Sequence, residues 1–285
     1  MALSECQRQE AERLYAAGWS CGRLASRYHV TYPSIYHMLA KRGVAFRPPC
    51  RRNAQVSVNH SAFCIVTDES AYWAGFLMAD GCISGRSKKA PQIILSLAVT
   101  DIDHVLRFRA FLRSDHKITV QDRRTNPAGL SINSKDTARV AVVSQLMASD
   151  LARFGIVPRK THIAEAVELQ NNKHFWRGMV DGDGCINTSI RPYLSLCSAS
   201  KILVDQFLKY CHSISPLVSL RAIKSMGLWR GVISGRTCVP ILRELYGNLS
   251  TALPRKKQKA AVLIDRFSAP PRKRGPHRDK CNAER

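Results

Sequence analysis

The sequence predicts an α+β chain: a small all-helical unit, then two tandem copies of one αββαββα order related by a pseudo-two-fold. Three observations predict it. The apolar stretch WAGFLMADG at residues 73–81 is echoed by WRGMVDGDG at 176–184. Two further pairs follow in the same order: LSLAVT from Leu95 with LSLCSA from Leu194, and VPRK ending at Lys160 with LPRK ending at Lys256. Their spacing drifts from 103 residues (Asp80 to Asp183) to 99 (Leu95 to Leu194) to 96 (Lys160 to Lys256), as one duplication with shorter loops in its second copy requires. Finally, the first 46 residues hold three short helical patterns set off by cap and turn residues. The expected organisation is a helical domain at 1–46, a linker at 47–66, repeats at 67–164 and 165–269, and a basic tail at 270–285.

Ser4 is a suitable N-cap for a helix over 4–17, which Gly18 breaks. Ser20 caps a second short helix, His29 and Val30 form a tight turn, and Thr31 caps a third helix that tolerates Pro33 in its first turn and ends at Gly43. Leu14, Trp19, Leu24, Ala25, Val30, Ile35 and Leu39 are the expected core of this unit. Pro48-Pro49, with Arg47, Arg51 and Arg52, marks the linker. In the first repeat, a hairpin turning around Lys88–Ala90 follows the motif helix, and DIDHVLRFRAFLRS is an amphipathic helix. KITVQDR alternates as a strand with Lys117, Thr119, Gln121 and Arg123 on one face. NPAG is read as a turn and LSIN as a strand. Residues 135–155 are read as helix, with Val140, Val143, Met147, Leu151 and Phe154 on one stripe. The second repeat continues with strands in CINTSI and RPYLSLCSA, a helix in KILVDQFLKYCHSI, strands near 217–224 and 228–234, and a helix in TCVPILRELYGN.

The two echoing stretches carry small residues four apart, Gly75 with Ala79 and Gly178 with Gly182, which share one helix face. Glycine inside a helix costs about 1 kcal/mol against alanine, and close approach of two backbones compensates for it. Two helices packed through these residues and ending at Gly81 and Gly184, as left-handed C′ residues, set Asp80 and Asp183 side by side. Two carboxylates at helix C-termini repel one another and the helix dipoles. A divalent cation with oxygen ligands relieves both, and near a phosphodiester it supports phosphoryl transfer or hydrolysis.

Both stretches resemble the LAGLIDADG motif of the homing endonucleases in the third-position glycine and the Asp-Gly end, the first departing by Met78 where the second has Asp181. The resemblance implies that Asp80 and Asp183, with Gly81 and Gly184, hold Mg²⁺ (or Mn²⁺). It also implies that Lys160 and Lys256 (or Lys257) serve the reaction, and that the two sheets form a saddle over a DNA major groove. Asp101 is then a candidate to hold ordered water, with Ser200 as its repeat counterpart. Lys117, Thr119, Gln121 and Arg123 are groove-face candidates in the first half; Ser219, Arg221, Arg230 and Ser234 are those of the second. The N-terminal unit resembles a resolvase- or transposase-type helix-turn-helix, with Tyr32, Ser34, His37 and Lys41 toward the groove.

Composition agrees with a polyanionic partner. The chain of 285 residues is 45% hydrophobic and 23% charged, yet 44 Lys+Arg against 21 Asp+Glu give a net charge of +23. Residues 1–52 carry +6 and residues 255–285 carry +8. The ten cysteines lack zinc-finger spacing, and the opening MALSECQRQEAE lacks the basic region and apolar core of a secretory leader. Reduced, mostly buried thiols are therefore expected, in a cytoplasmic (or organellar, nucleoid-associated) rather than secreted protein, with no membrane span. The expected function is a monomeric, Mg²⁺-dependent endonuclease that makes a double-strand break at a long, weakly symmetric site in double-stranded DNA. The alternatives are a catalytically inactive DNA-binding regulator on the same fold and an intron RNA-splicing maturase.

Overall fold

The computed structural model describes residues 3–16, 19–46, 56–85, 90–121, 136–247 and 251–268. The chain divides into two compact units, residues 1–55 and 56–285.

The first unit holds helices α1 (Glu5–Ala16), α2 (Cys21–Arg27) and α3 (Tyr32–Lys41). The caps are those the sequence offers. Ser4 and Gln7 exchange hydrogen bonds at the start of α1. Ser20 Oγ accepts from Arg23 N, and Thr31 Oγ1 accepts from Ser34 N. His29 takes a left-handed φ of 53° in the turn before α3, and Gly43 a φ of 67° after it. Leu24, Ala25, Ile35 and Leu39 are buried, whereas Leu14, Trp19 and Val30 are only partly so. Ala11, Tyr15 and Cys21 complete the core. Arg42 clamps α1 through Glu5 (2.6 Å) and Glu12 (2.9 Å).

The described half of the expected linker, residues 56–66, belongs to the second unit. Phe63 is fully buried, Asn59 N donates to Leu112 O at 2.8 Å, and His60 Nδ1 lies 2.9 Å from Ser144 Oγ. Val58 and Ala62 pack against the same core.

Two copies of one order then follow. The first is α4 (Asp68–Asp80), β1 (Gly81–Ser84), β2 (Gln92–Ala98), α5 (Ile102–Phe111), β3 (Thr119–Gln121), β4 (Thr137–Val143) and α6 (Gln145–Arg153). The second is α7 (Lys173–Asp183), β5 (Gly184–Asn187), β6 (Tyr193–Ser198), α8 (Lys201–Ile214), β7 (Ile223–Ser225), β8 (Leu228–Ser234) and α9 (Cys238–Tyr246). A last helix, α10 (Pro254–Ser268), has no counterpart among the described residues of the first half. Each half forms an antiparallel four-stranded sheet, in the orders β1-β2-β4-β3 and β5-β6-β8-β7.

Four expectations change. Residues 137–143 are a strand, not the start of a helix: TARVAVV buries Ala138, Val140 and Val142 with period two, and only 145–153 is α-helical. Gly81 and Gly184 are extended (φ −84° and −79°) rather than left-handed, because a strand begins at each of them. Glycine is needed there because a Cβ would lie 2.6 Å from Leu77 O, or 2.5 Å from Val180 O. The strand register pairs Gly81 with Leu95 and Gly184 with Leu196, so the true counterpart of Leu95 is Leu196 and the LSL match runs two residues out. Among the described cysteines, Cys21, Cys211 and Cys238 are buried, but Cys6, Cys64, Cys82 and Cys185 are exposed. The turn and strand expected at 126–133 lie outside the described residues.

α4 and α7 are the centre of the second unit. A Cβ on Gly75 would fall 2.0 Å from Phe175 O, and one on Gly178 would fall 2.1 Å from Tyr72 O and 2.7 Å from Phe76 N. One on Gly182 would meet Ala79 Cβ at 2.4 Å. The two backbones touch, as the four-residue spacing of small side chains requires. Gly178→Ala is therefore expected to cost about 3 kcal/mol or more, the upper range for an overpacked core. Urea unfolding of the two proteins checks this, and an unchanged midpoint would mean that the helices separate without penalty.

Candidate active site at the paired helix ends

The contact at Gly182 fixes the site. Asp80 Oδ2 would lie only 3.1 Å from a Cβ at Gly182, so the carboxylate of one half stands against the helix end that carries Asp183 of the other. Asp80 and Asp183 are both exposed, each at the end of an otherwise buried helix. Burial raises the Asp183 carboxyl to about 6; the Asp80 charge adds to this, and Lys160 and Lys256 oppose it. Burial also raises Asp80, against the pull of Lys256, Arg255 and Lys160.

The two lysines take equivalent places. Lys160 Nζ donates to Gly81 O at 2.6 Å. Lys256 Nζ donates to Val180 O at 3.0 Å and to Gly184 O. Each ammonium thus neutralises the C-terminal carbonyls of one motif helix, where the dipole is negative. Lys256 is buried and Lys160 half-buried, and desolvation lowers the pKa of both. The Gly81 and Gly184 carbonyls, expected as metal ligands, are engaged by these ammonium groups. Lys257, the other lysine of the second pair, is exposed on α10.

Asp181 occupies the position at which the first motif has Met78. It is wholly buried and accepts from Tyr246 Oη (2.6 Å), Leu253 N (2.7 Å) and Tyr72 Oη (2.8 Å). His104 Nε2 lies 2.8 Å from the same Tyr72 oxygen, and burial lowers the His104 pKa to about 4. Asp101 makes an ion pair with Arg255 at 3.2 Å, joining the two halves beside Asp80. Its counterpart Ser200 caps α8 and donates to Ala164 O at 2.6 Å.

Arg255, Cys82 and Cys185 were not singled out from the sequence, although the signals are there. The echo runs on through Asp-Gly-Cys-Ile in both copies, and an arginine precedes each lysine of the VPRK and LPRK pair. Cys82 and Cys185 are the first residues of the two open sheet faces. Directly paired residues share a face, so the open side of the first sheet carries the polar Cys82, Ser84, Gln92, Ser96, Thr119, Gln121, Thr137 and Arg139, with Ile94, Ala98, Ala141 and Val143 between them on β2 and β4. That of the second carries Cys185, Asn187, Tyr193, Cys197, Ile223, Arg230 and Ser234. Thr119 and Gln121 are exposed on β3. Lys117 is exposed but precedes the strand, and Arg123 lies outside the described residues. Arg221 and Ser219 are exposed ahead of β7, with Ser219 Oγ accepting from Arg221 N. Arg230 lies flat on its sheet, 3.2 Å from Ser195 Oγ and 5.1 Å above the Tyr193 ring. On α3 of the first unit, Tyr32, Ser34, His37 and Lys41 are all exposed, and the last three share a concave surface with Arg8 and Arg42.

Among the described residues no three His, Cys, Asp or Glu side chains converge as a metal cage. Two carboxylates suit Mg²⁺, which keeps several waters and takes phosphate oxygens, better than a cation needing an all-protein shell.

The architecture matches that of the LAGLIDADG homing endonuclease structures. The homing endonuclease I-WcaI bound to its DNA recognition sequence superposes over 77% of this chain and 97% of that chain, with a TM-score of 0.52 and 12% identity. I-DmoI in complex with DNA and Ca covers 73% and 99% at a TM-score of 0.45 and 15% identity. LAGLIDADG meganuclease I-AabMI bound to uncleaved DNA covers 71% and 92% at 0.46 and 12%. No family model and no curated protein matches the sequence. At these identities the likeness is one of fold. No helix among the described residues is long and apolar enough to cross a membrane.

The raised Asp183 carboxyl has a consequence for stability. An unfolded aspartate titrates near 3.9, so between about pH 4 and about pH 6 the native protein binds more protons than the unfolded chain, and stability falls as pH rises through that window. Thermal melts of metal-free protein are expected to show this fall, and Asp183→Asn to flatten it. Mg²⁺ added above pH 6 is expected to raise the melting temperature of the unsubstituted protein alone. Identical pH profiles for both proteins would refute the shift.

Proposed function

We propose that the chain is a site-specific endonuclease that makes a metal-dependent double-strand break in a long, pseudo-symmetric DNA site. The observation that carries this reading is one carboxylate from each half, held side by side at the ends of α4 and α7 by a glycine contact. A net charge of +23 and two open sheet faces without an acidic residue among their described positions support a duplex partner. The solved proteins with this architecture include DNA-bound homing endonucleases, which supports intron homing as the setting.

In this reading Asp80 and Asp183 hold Mg²⁺ or Mn²⁺, which supplies Lewis acidity and lowers the pKa of water. The chain's own residues do the rest. Lys160 and Lys256 fix the helix ends and so the carboxylates, and they keep positive charge where a phosphate dianion develops. Arg255, tied to Asp101, adds a cation beside Asp80. The sheets place the duplex through Thr119, Gln121, Arg139, Arg230 and Ser234. The N-terminal unit adds a helix-turn-helix whose α3 presents Tyr32, Ser34, His37 and Lys41 to a second groove.

Cutting is expected to separate from binding. On a plasmid library with random inserts and Mg²⁺, the unsubstituted protein linearises a recoverable target. Asp80→Asn and Asp183→Asn are expected to lower the rate of double-strand cleavage at least a hundredfold while leaving affinity within a few-fold. Equal cutting by either variant would overturn the carboxylate assignment. Binding without cutting by the unsubstituted protein would favour the regulator, and preference for a folded intron RNA the maturase.

The N-terminal unit adds affinity through effective concentration rather than chemistry. Removal of residues 1–55 is expected to leave a folded core that cuts the same phosphates at higher protein concentration, with a footprint shortened at one end only. Footprinting of both proteins on one labelled duplex checks this. An unchanged footprint would make the three helices a structural cap.

A further inference from the structure

The two sheets carry different chemistry at their edge strands. On the first, Thr119 and Gln121 lie opposite Arg139 and Thr137, a patch of hydroxyl, amide and guanidinium groups. On the second, the matching strand offers Ile223, and the two-residue turn after Ser225 carries Met226 at φ 50° with its side chain 99% exposed. Leu228, across from Ser225, is exposed on the same face. Solvent-facing apolar side chains grouped at a strand end mark an interaction surface. Residues 206–243, which hold this strand and its turn, include no acidic residue, whereas Arg221, Lys224, Arg230 and Arg236 all fall there. The strip also reaches the site, because Leu228 and Cys197 line a cavity of about 230 Å³ together with Lys160 and Asp183.

We propose that β7 and its turn recognise thymine through its C5-methyl group, so that the half-site under the second repeat is read by apolar contact and that under the first by hydrogen bonding. The inference rests on the reading of the chain as a duplex-binding nuclease. The thymine methyl is the apolar feature of the major-groove edge. An aliphatic side chain set against the cytosine amino group would leave a buried donor unpaired, so the strip discriminates as well as attracts. The flanking cations reach phosphates, and the apolar side chains between them meet the base edges. Each methyl removed from water is worth about fourfold in affinity, from about 0.8 kcal/mol per buried carbon at about 1.4 kcal/mol per tenfold.

The test uses the full chain with Ca²⁺ in place of Mg²⁺ and a duplex selected by binding from a random library. Deoxyuridine replaces thymidine in each half-site separately. Affinity is expected to fall about fourfold per contacted thymine in one half-site and to stay level in the other. The double variant Ile223→Ser, Met226→Ser, at two exposed positions, is expected to keep its melting temperature and lose the deoxyuridine effect. No effect in either half-site, or an effect that survives in the double variant, overturns the inference while leaving the nuclease reading intact. Binding to phosphatidylserine vesicles that the double variant loses, with no deoxyuridine effect, would assign the strip to an anionic lipid surface instead. Failure to select any duplex overturns both readings.

Discussion

The second unit depends on one contact, the backbone-to-backbone approach of α4 and α7 through Gly75 and Gly178. Carbonyl oxygens at 2.0 Å and 2.1 Å from the places where Cβ atoms would stand leave room for no other residue. The contact does three things at once. It buries both helices along most of their length, with Trp73, Phe76, Phe175 and Trp176 filling the space around them. It fixes the separation of the two helix C-termini, and therefore of Asp80 and Asp183. It also points the chain, through extended glycines, straight into β1 and β5, so that each sheet begins one residue after its carboxylate.

The electrostatics of the site follow from that geometry. Two carboxylates at two negative helix ends are unfavourable, and the chain compensates from outside both helices. Lys160 and Lys256 come from segments beyond the last helix of each αββαββα order, cross to the motif glycines and donate to their carbonyls. The compensation leaves the carboxylates themselves unpaired by a direct bond from either lysine. Burial, with the Asp80 charge added to it, raises Asp183 to about 6 against the pull of both lysines. Carboxylates that keep their oxygens free while their helix ends are neutralised are suited to a divalent cation and a phosphate that arrive together.

Much of this was legible in the sequence because it rests on local rules. The caps at Ser20 and Thr31 and the glycine pairs each depend on residues a few positions apart, and the matched lysines on a four-residue echo. What was not legible depends on partners distant in the chain. TARVAVV reads as helix because Val140, Val143, Met147 and Leu151 happen to fall at helical spacing; its pairing with β2 along all seven residues decides for strand. α10 escaped notice because Lys256 interrupts an apolar stripe that continues through Ala260 and Leu263, and that lysine is buried only because Gly184 waits for it. The tie between Asp101 and Arg255 spans 154 positions, and no local pattern announces it.

The hydrogen bonds at Asp181 bear on how alike the two halves can be. Tyr72 Oη and Tyr246 Oη both end on this one carboxylate, and the residue equivalent to Tyr72 in the second motif is Phe175. A symmetric pair of second halves would therefore bury two aspartates, each without one of its hydroxyl donors. A symmetric pair of first halves would leave two tyrosine hydroxyls facing Met78. The bond from Tyr72 to Asp181 is the one that crosses between the halves here, so pairing either half with its own copy gives up that bond at both places. Tyr72 and Asp181 thus make the two copies complementary rather than interchangeable, each half holding one end of a buried bond.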